Sequence, residues 1–278
     1  MDLVVRHTTS YLYHAAASRI SLLLRLFPTQ FDGQSVHDWT VTLNGKRIEH
    51  GPANSFGDDE AHAQVELVGR ELVIEAAGVV RTQDRNGSVK GLKREVPRSV
   101  FRRMTPLTTL DDGIRGIAEQ AVGGDTLSRL HDLSRGIRQR VAYQAGVTGA
   151  QTSAAAALAL GQGVCQDHAH IFVSAARSLG IPARYVAGYY LADSAENAVH
   201  ETHAWAEAYV NDLGWIGFDI TNGVCTTDHY IRLCAGLDAH DAAPVRGAVF
   251  GGQEIAIDAD VLISEADAET QQRLPQQQ

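Results

Sequence analysis

Cys165 is the residue best placed to do chemistry. It stands two positions after Gly163 in GQGVCQDHAH and opens a stretch that stops at Gly180, with Pro182 just beyond. Along that stretch Cys165, Ala169, Phe172, Ala176 and Leu179 fall at offsets of four, seven, eleven and fourteen, one apolar stripe of a helix. Cys165 therefore begins a helix on its inward side. The N-terminal end of a helix favours a thiolate, and such settings bring a thiol pKa from about 8.5 into the range of roughly 3.5 to 7.5. Gly163 lets backbone and substrate come close. A free cysteine on such a stripe is also ordinary core packing, so its partners must separate the two readings.

A thiolate nucleophile needs an imidazole within hydrogen-bond reach, and the imidazole needs an acceptor to orient it. ETHAWAEAYV reads as a strand with His203, Trp205, Glu207 and Tyr209 on one face and Ala204, Ala206, Ala208 and Val210 on the other. The small-residue face can pack under a helix, and His203 stands where the strand starts. Trp205 either screens a thiolate–imidazole pair from water or is plain core. GWIGFDITNG reads as the next strand, ending at Asp219. A tight connection through Asn211-Asp212-Leu213-Gly214 makes the two strands antiparallel neighbours. Pairing Trp215 with Val210 sets Asp219 opposite about residue 206, with twist or a bulge closing the remaining offset to His203.

The order GVCQDHAH, HAWAEAYV, GFDITNG resembles the transglutaminase-like, papain-like superfamily of bacterial cysteine enzymes. The resemblance implies an α+β fold, a papain-like core of helices packed on an antiparallel sheet, preceded by a small all-β sandwich-like domain. It implies Cys165 as nucleophile, His203 as general base and Asp219 as the residue that orients His203. GIPARYVAGYYL resembles the family's strand after the cysteine helix, APVRGAVFGG its closing segment, and the first β-rich region its bacterial accessory domain. Ile220 follows Asp219 where the family often has proline, and Leu237 and Ala239 stand where an arginine and a tyrosine are expected. An oxyanion hole needs two donors. The amide of Cys165, free at a helix start, is one; Gln162 and Tyr143 are candidates for the second.

The elements that must position these groups divide the chain. Residues 1–98 alternate with period two: RHTTSYLY sets His7, Thr9, Tyr11 and Tyr13 on one side, and WTVTLNG sets Trp39, Val41 and Leu43 on one face before a turn at Asn44-Gly45. QVELVGRELVIEA reads as a hairpin turning at Gly69-Arg70, and the acidic GDDE at 57–60 as a solvated turn. Residues 99–263 form the expected catalytic core, with helical spacing in TLSRLHDLSRGIRQRVAY and an Ala-rich helix capped at Thr152 or Ser153 and stopped at Gly161. Residues 264–278 read as a polar tail. The polar loop ADSAENAVH is placed to border the substrate cleft.

Composition excludes several classes. Lys and Arg total 24 against 33 Asp and Glu, a net charge of −9, which gives no electrostatic footprint for nucleic acid. No run approaches the roughly 18 apolar residues of a membrane helix, and the first residues lack a secretory core, so a cytoplasmic protein is expected. Three cysteines make no disulfide framework, and Cys225 and Cys234 read as packing. No metal or other cofactor is expected. On a helix His168 and His170 point about 200° apart, HETH at 200–203 is one residue short of a zincin motif, and His229 and His240 lack spaced partners. No calcium loop is visible, which disfavours a calcium-dependent branch. The expected activity is cysteine-dependent acyl transfer on amides of a peptide or protein substrate, by hydrolysis or by transamidation. The alternative is a catalytically idle interaction module.

Overall fold

Alternation shapes the first third of the chain. In the computed structural model, which describes residues 1–14, 19–66, 70–192, 202–251 and 254–267, β1 (Asp2–Tyr13) buries Leu3, Val5, His7, Thr9 and Tyr13 on one side. It is followed by β2 (Arg19–Leu24), β3 (Gln34–Leu43), β4 (Lys46–Ile48), β5 (Ala61–Val65), β6 (Glu71–Thr82) and β7 (Ser88–Val89). The β3–β4 hairpin turns at Asn44 and Gly45, whose φ values of 48° and 76° are both positive, as a tight hairpin of matching twist requires.

Helices come next: α1 (Asp112–Gln120), α2 (Thr126–Arg140), α3 (Ala154–Leu160) and α4 (Cys165–Ser178), with the short β8 (Ala142–Tyr143) and β9 (Gln162–Gly163) between them. Asp111, Asp125 and Ser153 cap the first three by accepting the amides of Ile114, Ser128 and Ala156. The last part holds β10 (Ala183–Tyr190), β11 (His203–Val210), β12 (Gly214–Asp219), β13 (Val224–Cys225), β14 (Tyr230–Gly236), β15 (Val245–Phe250) and β16 (Glu254–Glu265). The central sheet runs β13-β12-β11-β10-β14, with β7 added against β12. Its ladders are antiparallel. The Ala206, Ala208 and Val210 face of β11 packs under α4, sharing a core with Ile171, Phe172 and Ala175.

Three features depart from the sequence pattern. Strands β15 and β16 belong with the N-terminal sheets rather than with the catalytic core assigned to 99–263. β16 pairs with β1 from Leu3↔Glu265 to Leu12↔Ala256, and β15 pairs with β2. The long outer edge of β1 would otherwise expose a row of unpaired backbone groups. The polar tail therefore cannot begin at 264; residues 268–278 lie outside those described. β5 and β6 do not form a hairpin either: β5 pairs with β2, while β6 lies between β1 and β3 in the other sheet.

The third departure is at GDDE. Asp58 is 2% exposed, and its Oδ1 accepts the Arg232 guanidinium at 2.6 Å. Arg232 in turn donates to Glu207 at 3.0 Å, and Glu207 accepts Arg184 at 2.6 Å. A carboxylate in a turn stays solvated only when no buried cation claims it, and here one does. Gln34 and Thr29 complete the seam by bonding the backbone of β14 at Arg232 and Leu233. One apolar core runs across this seam, from Leu3 and Ile74 to Tyr185, Ala204 and Leu233.

Candidate active site

The local sequence of α4 explains how Cys165 is presented. Val164 has no side-chain oxygen to cap the helix. Asp167, three residues on, supplies it instead: its Oδ2 accepts the Val164 amide at 2.8 Å and the Thr148 hydroxyl at 2.6 Å. A Cβ at Gly163 would lie 2.7 Å from that oxygen, so only glycine fits before this turn. The helix is then buried on almost every side from Asp167 to Arg177, well beyond the one stripe that the spacing predicts. Cys165 is half-buried, and as the first helical residue its amide has no acceptor within the helix.

The strands bring the partners. Tyr209 pairs with Trp215 and Ala206 with Phe218, one residue away from the register expected from the sequence. Positive φ at Asp212 (68°) and Gly214 (92°) tightens the connection. Continued by one step, that register sets Asp219 level with Trp205, on the face that also carries His203, and no bulge is needed. His203 Nε2 meets Asp219 Oδ2 at 2.7 Å. His203 also faces Cys165 across a shared cavity, and Cys165 is among the groups that raise the ring's pKa.

Electrostatics favour a charged ring. Burial acts to lower the His203 pKa, but the bonds and charges of Asp219 and Cys165 outweigh it and raise the pKa to about 10. Burial likewise acts to raise the Asp219 pKa, and donors win again. His203, the Tyr230 hydroxyl at 2.8 Å and the Asn222 side chain at 2.6 Å all converge on Oδ2, while the Asn222 amide bonds Oδ1. The carboxyl is held below its ordinary value.

Trp205 is 2% exposed and stacks against His203 with ring centroids 6.3 Å apart, so it is core packed beside the imidazole, and it does not line the cavity that Cys165 and His203 share. Gly188 on β10 makes room for it, since a Cβ there would lie 2.5 Å from the indole.

Cys165 and His203 open into one cavity of about 600 Å³. Its wall includes Gln166, Tyr185, Ala187, Ala204, Asp238 and Ala239. Gln162 and Tyr143 are not brought to it: they sit on the parallel pair β8–β9, and Tyr143 is 58% exposed. The sequence reading missed Tyr230, Asn222 and Tyr185. Tyr185 alone left a signal, through its alternation with Ala187 on β10, whose side chains share the cavity face.

The remaining candidates separate cleanly. His168 bonds Thr221 and the Val141 carbonyl, and His170 accepts the Ala239 amide, so each is held by its own partners. Cys234 is fully buried and Cys225 half-buried. His229 bonds the Leu191 carbonyl. Residues 193–201, which include most of the ADSAENAVH loop together with His200 and Glu201, lie outside the described residues. Among the described residues Asp238, His240 and Asp241 form the one group with metal-ligand spacing, and no helix is long and apolar enough to cross a membrane.

Comparison with known proteins bears on the fold and the family. Residues 115–220 match the transglutaminase-like superfamily core, and residues 3–81 match the bacterial transglutaminase-like N-terminal region. An uncharacterized protein of Mycobacterium tuberculosis is 32% identical over 151 residues, which is 50% of this chain and 48% of that one. A solved structure from Cytophaga hutchinsonii, described as a candidate cysteine protease, superposes with a TM-score of 0.73 at 20% identity, covering 96% of this chain and 92% of that one; it shares the fold. An uncharacterized protein of Mycobacterium leprae is 30% identical over 284 residues, covering 93% of this chain and 96% of the relative. With an N-terminal all-β region and an α+β core of this kind, the chain belongs to the transglutaminase-like superfamily.

Proposed function

We propose that this chain is a cysteine-dependent acyl-transfer enzyme acting on amide bonds of a peptide or protein through a thioester. In this reading the Cys165 sulfur attacks the carbonyl carbon and a C–S bond forms. The amide C–N bond then breaks, and the His203 imidazolium gives its proton to the leaving amine. Water attacks the thioester next, with His203 now taking a proton; the C–S bond breaks, the acid product leaves and Cys165 returns as the thiolate. Asp219 keeps the ring in the tautomer and orientation that both steps need. In this reading the free amide of Cys165 bonds the developing oxyanion. Hydrolysis is favoured over transfer to an amine because water needs no second binding site. No cofactor is invoked.

The observation that carries the reading is the 2.7 Å bond between His203 and Asp219 behind a histidine that lines the same cavity as Cys165. Iodoacetamide tests it. At pH 6 Cys165 is expected to alkylate at least about tenfold faster than a small-molecule thiol of ordinary pKa. Cys165→Ala is expected to abolish turnover, by about 10⁵-fold or more, while the fold and melting temperature persist. A Cys165 no faster than the small thiol, or full activity in Cys165→Ala, would leave the idle-module reading in its place.

A further inference from the structure

The cavity holds a carboxyl group that thioester chemistry does not use. Asp238 is 6% exposed and forms part of the wall that Cys165 and His203 share. Its Oδ1 accepts the Asp241 amide at 3.0 Å; among the described residues no hydrogen-bond donor meets Oδ2. A carboxylate that deep is costly without a partner, and an open oxygen on a cavity wall is where a ligand's donor would offset the cost. Asp241 and exposed His240 stand beside it, with one atom of each of the three residues within 4.8 Å of the others.

Arg177 is within electrostatic reach of Asp238 and Asp241, but among the described residues it gives neither a hydrogen bond. Among the described residues no Lys or Arg lines the cavity. Arg177 lies behind the wall, but its guanidinium donates to the carbonyls of Phe101, Ala183 and Leu237 and to the Thr108 hydroxyl. The neighbouring wall is apolar and small, made of Pro106, Leu107, Ala239, Ala242 and Ala243. Methylenes suit those residues, and a cation suits the acid at their end.

We propose that Asp238, supported by Asp241 and His240, is a specificity subsite for a primary ammonium group on the substrate, next to the amide that Cys165 attacks. The inference rests on Cys165 being the nucleophile. The ammonium is a lysine-like side chain or a free N-terminus. It is not the attacking amine of a transamidation: attack needs the neutral amine, and a carboxylate contact favours the charged form.

Peptidyl chloromethyl ketones that alkylate Cys165 test this without knowledge of the natural substrate. Lysyl, ε-acetyl-lysyl and norleucyl probes, each with a free or an acetylated N-terminus and with the variable residue first or second from the electrophile, would be compared by second-order labelling rate. A charge-assisted bond to a buried carboxylate predicts that one cationic form labels about 10- to 100-fold faster than its neutral counterpart. Whether lysine or the free N-terminus gives the gain identifies which ammonium is read. In Asp238→Asn, which keeps an oxygen for the Asp241 amide, the ratio should fall toward one. Equal rates for cationic and neutral probes in the unaltered protein, with iodoacetamide still labelling Cys165 rapidly, overturn the subsite and leave the nucleophile standing. An unchanged ratio in Asp238→Asn overturns it as well. Absence of rapid labelling by iodoacetamide removes the nucleophile, and the subsite with it.

Discussion

Two groups of buried charge lie along one face of β11, separated by Trp205. At the strand's start His203 binds Asp219 and opens into the cavity. Four residues on, Glu207 is 0% exposed and locked between Arg184 and Arg232, with Asp58 beyond. Both groups are ion pairs taken out of water, and each would be costly without its partners. They differ in closure. In the Glu207 group Arg184 lies on the Trp215 ring at 4.0 Å, Arg232 also binds Thr29, and Asp58 also binds the Ala235 amide. In the His203 group one side of the ring looks toward a sulfur and a cavity that can admit a substrate. Burial of charge thus makes a strut where each charge is met by opposite charge within the protein, and a candidate site where one side is left open to a cavity.

The sharpest way to break this contrast is Asp219→Asn. The amide can still hold the ring, but it removes the negative charge that supports the imidazolium. Turnover on any substrate of the native protein is expected to fall by about 10³- to 10⁴-fold, less than for loss of the sulfur, while the fold remains. NMR titration should show the His203 pKa falling well below about 10. A variant that keeps its rate would place His203 and Asp219 with the struts.

Glu207→Ala is the converse. It leaves Arg184 and Arg232 buried without their shared carboxylate, and urea unfolding should show a loss of about 3–5 kcal/mol. Cys165 alkylation in the folded fraction should change little. The pH response separates the two groups again. The raised His203 pKa means that its protonated form contributes stability in full below pH 6.5, and the contribution is lost as pH rises through about 10. For Glu207 burial acts to raise the pKa, but Arg184 and Arg232 lower it on balance, so its contribution is lost on the acid side. Alkaline loss of stability should therefore shrink in Asp219→Asn, and acid loss should shrink in a Glu207→Gln background.

Much of the candidate site is legible because its signals are local. Glycine before Cys165, the apolar spacing after it and Pro182 beyond define one helix, and strict alternation on β11 sets His203 and Trp205 on one side. Asp219 is placed by a four-residue connection, with an error of one residue that positive φ at Asp212 and Gly214 accounts for. What the sequence hides is long-range. Asp58 looks like a surface acid because Arg232, which buries it, is 174 positions away. β16 looks like part of the catalytic core because adjacency in sequence usually means adjacency in space, whereas here the chain returns to its own first strand. Tyr230 begins a strand that carries no motif, and only the fold of β14 beside β10 brings its hydroxyl to Asp219.

Tyr230→Phe gives the smallest expected effect and the finest distinction. The ring keeps its packing against Tyr190, Trp205 and His203, with centroids 4.7, 5.5 and 6.2 Å away. Only the hydroxyl that donates to Asp219 Oδ2 is lost. His203 and Asn222 still hold that oxygen, so turnover should fall by about tenfold, the low end of the worth of one charge-assisted bond. The direction of the His203 pKa is the telling readout. Removing a competing donor leaves more of the carboxylate's charge to the imidazolium, so the pKa should rise or hold. In Asp219→Asn it should fall. If Tyr230→Phe lowers it instead, the tyrosine acts by fixing the geometry of the pair, and its bond to Asp219 is a strut inside the candidate site.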